Sequence, residues 1–130
     1  MKILIKPLVA FCIKAAIILM ALHTAHATAG EADVVDASIE ALGDGRYRIS
    51  ATVQHADEGW DHYADRWDVV AADGRILGSR ELAHPHVNEQ PFTRSLTLKL
   101  PEGISIIRLQ ANDSVHGLGG KIFELSVPAP

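Results

Sequence analysis

Sulfur is nearly absent from this sequence, which holds one cysteine, Cys12, and two methionines, Met1 and Met20. All three lie in an N-terminal stretch that reads as a leader. Past it, disulfides, cysteine-ligated metal sites and thioether copper(I) sites are excluded. Long apolar runs are missing too. The longest, Leu8 to Leu22, is interrupted by Lys14 and falls short of the roughly 20 residues needed to span a bilayer. A sustained helical period is absent, which excludes a helical bundle. Positive charge is scarce. Of 12 Lys and Arg, Lys2, Lys6 and Lys14 belong to the leader, leaving nine against 16 Asp and Glu and a net charge of −7. A domain of that charge is not expected to bind nucleic acid or an anionic membrane.

The first 29 residues have the layout of a secretory signal: Lys2 and Lys6, then the apolar stretch, then small residues. Ala25-His26-Ala27 and Ala27-Thr28-Ala29 both satisfy the small-x-small rule, so cleavage is expected near Ala27 or Ala29. The expectation is a leader over 1–29, one domain over 30–130, residence in the periplasm or secretion, and no stable membrane anchor once the leader is removed.

The remainder alternates apolar and polar residues in short runs broken by turn chemistry about every ten residues, the pattern of a β-sandwich or barrel. Seven runs are read: Val34 to Ala41, Arg46 to Gln54, Arg66 to Ala71, Ile76 to Leu82, Phe92 to Leu100, Ile104 to Ala111 and Lys121 to Val127. In the first, Val35, Ala37, Ile39 and Ala41 share the inward parity. Asp73-Gly74 predicts a two-residue hairpin with positive φ at both positions. The expected fold is all-β, a seven-stranded antiparallel sandwich of immunoglobulin or fibronectin-III type with Trp67 in the core.

Connections after odd-numbered strands are tight turns; those after even-numbered strands are long. Strand parity therefore gathers the three long connections at one end. They carry every histidine beyond the leader: His55 and His62 in the first, His84 and His86 in the second, His116 in the third. Asp57, Glu58, Asp61, Asp65 and Glu89 lie among them as candidate acceptors that orient the rings. Imidazole with carboxylate and no sulfur suits a divalent transition metal, Cu(II) or Zn(II). His84-Pro85-His86 places two rings on one side of a stiff extended segment, so the preferred ligands are His84 and His86 with one or both of His55 and His62, and His116 as an extra. A small ligand could use the same contacts. The competing reading makes the histidines structural and the chain a metal-free interaction module, docking a protein partner through Trp60, Tyr63 and Phe92. Catalysis is not expected: Asp113, Ser114 and His116 are too close in sequence for a serine relay, and a sandwich of this size offers no deep cleft.

The segments His55-Ala56-Asp57-Glu58-Gly59-Trp60-Asp61-His62-Tyr63-Ala64-Asp65-Arg66-Trp67 and His84-Pro85-His86-Val87-Asn88-Glu89-Gln90-Pro91-Phe92-Thr93-Arg94 resemble a family of small exported bacterial β-sandwich proteins. That resemblance implies the fold and export, with no activity, cofactor or partner. In general shape the chain is similar to periplasmic copper-resistance β-sandwich proteins. It departs from them in lacking methionine and an N-terminal histidine after the leader, which argues against copper(I) handling and leaves divalent copper or zinc open.

Overall fold

Period-two alternation cannot bury both faces of a strand, so each run needs a second apolar layer to cover one side. The computed structural model describes residues 30–130; the expected leader lies outside the described residues. Eight strands follow in order: β1 (Asp33–Gly43), β2 (Arg46–Gln54), β3 (Ala64–Ala71), β4 (Ile76–Glu81), β5 (Phe92–Lys99), β6 (Ile106–Asp113), β7 (Gly117–Leu118) and β8 (Phe123–Ser126). They form two antiparallel sheets, β1-β2-β5 and β4-β3-β6, with β7 and β8 both paired to β6. No helix occurs among the described residues.

One core lies between the sheets. Val34, Tyr47, Ile49, Ala51, Val53 and Phe92 come from the first, and Trp67, Val69, Ala71, Ile107, Leu109 and Ala111 from the second. Trp67 is fully enclosed. Leu96 and Leu98 close the side between β5 and β4, where a Cβ on Gly78 would meet Leu98 at 2.9 Å.

Three expectations need correction. The strand count is eight, because Gly117 and Leu118 fold the third connection back onto Asp113 and Asn112 as an extra short strand. In β1 a register shift between Val34 and Asp36 changes the parity: Val34 is fully buried and Ala41 exposed, so Val35 does not head the inward row. The Asp73-Gly74 hairpin has three loop residues. Ala71 N–H donates to the Arg75 carbonyl (2.8 Å), Gly74 N–H to the Ala71 carbonyl (2.9 Å), and only Gly74 has positive φ, +91°. This is the turn-plus-bulge loop, which requires one left-handed residue and not two. The two-residue left-handed turn occurs instead at Asp44 (φ +57°) and Gly45 (φ +72°).

The long connections do share one end. Tyr63 and Ser114 tie the first to the third through Ser114 N–H to the Tyr63 carbonyl (2.9 Å) and Tyr63 N–H to Ser114 Oγ (3.1 Å). The first and second are joined by His86 N–H to Asp57 Oδ2 (2.7 Å) and His55 N–H to Gln90 Oε1 (3.0 Å).

Candidate metal centre

His55 continues the inward parity of β2 by one step beyond Val53, which carries its ring under the loops into full burial. Its Nδ1 lies 2.6 Å from Asp57 Oδ1 and its Nε2 2.9 Å from the Gly30 carbonyl. A carbonyl only accepts, so Nε2 carries a proton here. Asp57 is a hub: Oδ1 also accepts Ala64 N–H (3.0 Å), while Oδ2 takes His86 N–H. The ring of His62 meets His55 edge-on at 4.8 Å, and His116 lies on its other side at 5.0 Å. His62 Nε2 is 3.0 Å from Asp113 Oδ1, and its Nδ1 is 3.6 Å from Glu58 Oε2.

Asp113 ends β6 and is almost completely buried. Its two oxygens are unequal. Oδ1 faces four nitrogens: Val115 N (2.9 Å), His116 N (2.7 Å), His116 Nδ1 (3.2 Å) and His62 Nε2. Oδ2 is buried with no hydrogen-bond partner among the described residues. Burial opposes ionisation of this carboxyl, but the backbone donors of His116 and Val115 and the His116 charge outweigh it, and the pKa lies below the ordinary aspartate value.

His55, His62 and Asp113 each bring one donor atom within 4.8 Å of the others, all three side chains being buried. Bonds of about 2.0–2.2 Å at a tetrahedral centre place neighbouring donors about 3.4 Å apart, so the group closes inward around an ion by about an ångström. His62 Nε2 and Asp113 Oδ1, 3.0 Å apart, are already closer than that. His116, exposed at the rim, is the adjacent imidazole.

The second connection is arranged differently. His84 and His86 do lie side by side, with centroids 4.5 Å apart. His86, however, is buried flat on Phe92 at 3.9 Å, and its Nε2 accepts from Arg94 Nη2 at 3.0 Å. Burial first, then the charges of Arg94 and His84, lower its pKa against weaker opposing pulls from Glu89 and Asp57. A ring whose lone pair is taken by a guanidinium is a poor neighbour for a cation, and this pair stands outside the three-residue group. His84 is exposed, with Nδ1 donating to the Pro85 carbonyl at 3.0 Å.

Of the expected acceptors, Asp57 and Glu58 face His55 and His62. Asp65 instead accepts Asn112 Nδ2 (2.6 Å), Glu89 pairs with Arg94 (3.3 Å) and Asp61 is exposed. Among the aromatics, Trp60 is 68% exposed and packs edge-on against half-buried Tyr63 at 5.6 Å. Phe92 is corrected as an interaction residue: only 2% exposed, it belongs to the core beneath His86 and cannot meet a partner. Asp113 was legible as Asp-x-x-His with His116, three residues apart at the end of a strand, yet the ligand set read from sequence omits it.

No family model matches the chain. A protein described as "Putative lipoprotein" from Halomicrobium mukohataei is 43% identical over 91 residues, covering 70% of this chain. The chain spans 45% of that protein's length. Two solved structures are similar in backbone. A superoxide reductase (neelaredoxin) from Ignicoccus hospitalis has a TM-score of 0.49 at 18% identity, covering 75% of this chain and 81% of that one. A superoxide reductase (1Fe-SOR) from Giardia intestinalis has a TM-score of 0.44 at 13% identity, covering 73% and 99%. Both are enzymes by name, and on that finding the expectation of a chain without catalysis is withdrawn.

Proposed function

We propose that the protein binds a divalent transition metal through His62, Asp113 and His55, with His116 at the rim. The observation that carries the reading is Asp113 Oδ2, a buried carboxylate oxygen without a donor among the described residues, on a side chain grouped with two imidazoles. Leaving a buried acceptor unsatisfied costs about 1–3 kcal/mol, which a cation would remove. Nitrogen and oxygen donors without sulfur suit Zn(II) and Cu(II), and also Fe(II). Bound there, the metal would supply a Lewis-acid centre. His55 and His62 would fix its place, and Asp57 would hold the His55 ring through Nδ1, as a carboxylate commonly does behind a ligating histidine. A small ligand reaching this end would meet His116 first.

We further read the two sheets as an immunoglobulin- or fibronectin-III-like sandwich over 30–130. The protein is proposed to be exported to the periplasm or beyond, on the leader-like residues 1–29 and the relative described as a lipoprotein.

Saturating Zn(II), Cu(II) or Fe(II) should raise the melting temperature. At a hundred times the dissociation constant the gain is about 2.7 kcal/mol, on the order of 10 °C for a domain of this size. His62→Ala or Asp113→Asn should abolish the rise. A wild-type curve unmoved by all three metals ends the reading. The alternative of a docking module now rests on Trp60 and Tyr63 alone, favoured by the exposure of Trp60. Trp60→Ala should leave the metal-induced rise intact.

A further inference from the structure

Both nitrogens of His55 are occupied, and by unequal partners. Nδ1 is held by the buried carboxylate of Asp57, which also secures Ala64 and His86. Nε2 is held by the carbonyl of Gly30, an exposed residue. Residues 30–34 form a strap seated between the first and third connections. Ala32 is fully buried. Gly120 N–H donates to Glu31 Oε2 (3.0 Å), Lys121 N–H to Asp33 Oδ1 (2.6 Å), and Val34 N–H to the Lys121 carbonyl (2.8 Å). The strap lies so close to the third connection that a Cβ on Gly120 would collide with the Ala32 carbonyl, and one on Gly119 with the Glu31 side chain. Beside it lies a polar cavity of about 500 Å3, lined by Gly30, Glu31, Asp33, Gln54, His55 and Gly120.

We propose that the strap and the metal compete for His55 Nε2, so that the strap sets how many ligands the centre offers. The inference rests on the metal reading above. With the strap seated, Nε2–H is bonded to the Gly30 carbonyl and the centre holds His62 and Asp113. When a cation takes His55, the Nε2 proton leaves to solvent and its lone pair goes to the metal. Nδ1–H remains donated to Asp57, and the Gly30 carbonyl loses its donor. Because the two events share one nitrogen, each weakens the other by the same factor. Loosening the strap must tighten metal binding, and metal must loosen the strap.

Titration calorimetry with zinc chloride on the full chain tests this. Glu31→Ala removes the bond that seats the strap on Gly120, and Gly120→Ala wedges the two segments apart. Each should lower the zinc dissociation constant roughly fivefold, the worth of one released hydrogen bond. In a His55→Ala background the same substitutions should change nothing. Amide exchange at Val34 should speed up when zinc is added to the wild type. If wild type binds zinc and neither strap variant alters its affinity, the coupling is overturned while the metal site stands. If Gly120→Ala does not fold, Glu31→Ala and the exchange measurement decide. If the wild type does not bind zinc, the failure is that of the metal reading itself and removes this proposal with it.

Discussion

The two ends of the domain solve the same problem by different means. At the short-turn end the chain reverses at Gly43-Asp44-Gly45, Ala72-Asp73-Gly74 and Pro101-Glu102-Gly103, and the backbone itself satisfies its groups: Ala71 N–H donates to the Arg75 carbonyl at 2.8 Å, Gly74 N–H to the Ala71 carbonyl at 2.9 Å, and Leu100 N–H reaches across to the Gly45 carbonyl at 3.0 Å. At the long-loop end short backbone bonds such as Glu58 N–H to the His62 carbonyl (2.8 Å) do not suffice to join one connection to the next, and side chains supplement them. Asp57 alone holds three groups from three places in the sequence. A chain whose described part lacks cysteine cannot staple such loops, and here buried histidine-carboxylate contacts do it. Polar groups in such numbers, once buried, either find every partner or leave some open, and among the described residues of these loops Asp113 Oδ2 and His86 Nδ1 are open.

Substitutions can sharpen this contrast. The largest effect is expected from Asp57→Ala, which strands the His55 ring and two backbone N–H groups. Removing one partner of a buried charged network costs about 3–5 kcal/mol, measurable as a lower urea midpoint with the slope unchanged. A loss under about 1 kcal/mol would mean the loops are held some other way. At the opposite end Gly45→Ala should cost only about 1–2 kcal/mol, because the strain is confined to one left-handed residue and its Cβ has room, 3.6 Å from Lys99 Cε.

The smallest effect concerns pH. Burial and Arg94 set the folded pKa of His86 below its unfolded value near 6.5, so the fold prefers the neutral ring. That contribution is fully present above about pH 6.5 and is lost as pH falls through the folded value. Melting temperatures between pH 7.5 and 5.5 should therefore fall less steeply in His86→Gln than in the wild type, whatever the absolute stability of the variant. Equal slopes would show that His86 does not titrate against the fold.

Much of the architecture could be read from residue order. Period two located the strands of both sheets, and counting crossings placed the long connections together, as the Tyr63–Ser114 and Asp57–His86 bonds show. What escaped were features where the pattern is degenerate. Val34 and Val35 are both apolar, so alternation cannot say which one a bulge turns inward. Asp-Gly serves both kinds of hairpin loop. The rings of His84 and His86 lie 4.5 Å apart, but nothing in His84-Pro85-His86 itself tells which of them is buried against Arg94. In β5 it shares the inward parity of Phe92, Leu96 and Leu98, and its guanidinium caps the buried ring. Asp113 reads as one of the loop carboxylates near the histidines but not as a ligand, because apolar alternation ends at Ala111, whereas the strand runs two residues further on polar side chains.

The lopsided bonding of Asp113 has a mechanical result. With four nitrogens gathered on one oxygen, the carboxylate cannot spin about its terminal bond without breaking all of them, so the second oxygen keeps a fixed bearing. A visitor seeking that lone pair finds it already aimed, and the rotational freedom that a surface aspartate surrenders on capture was given up when the chain folded.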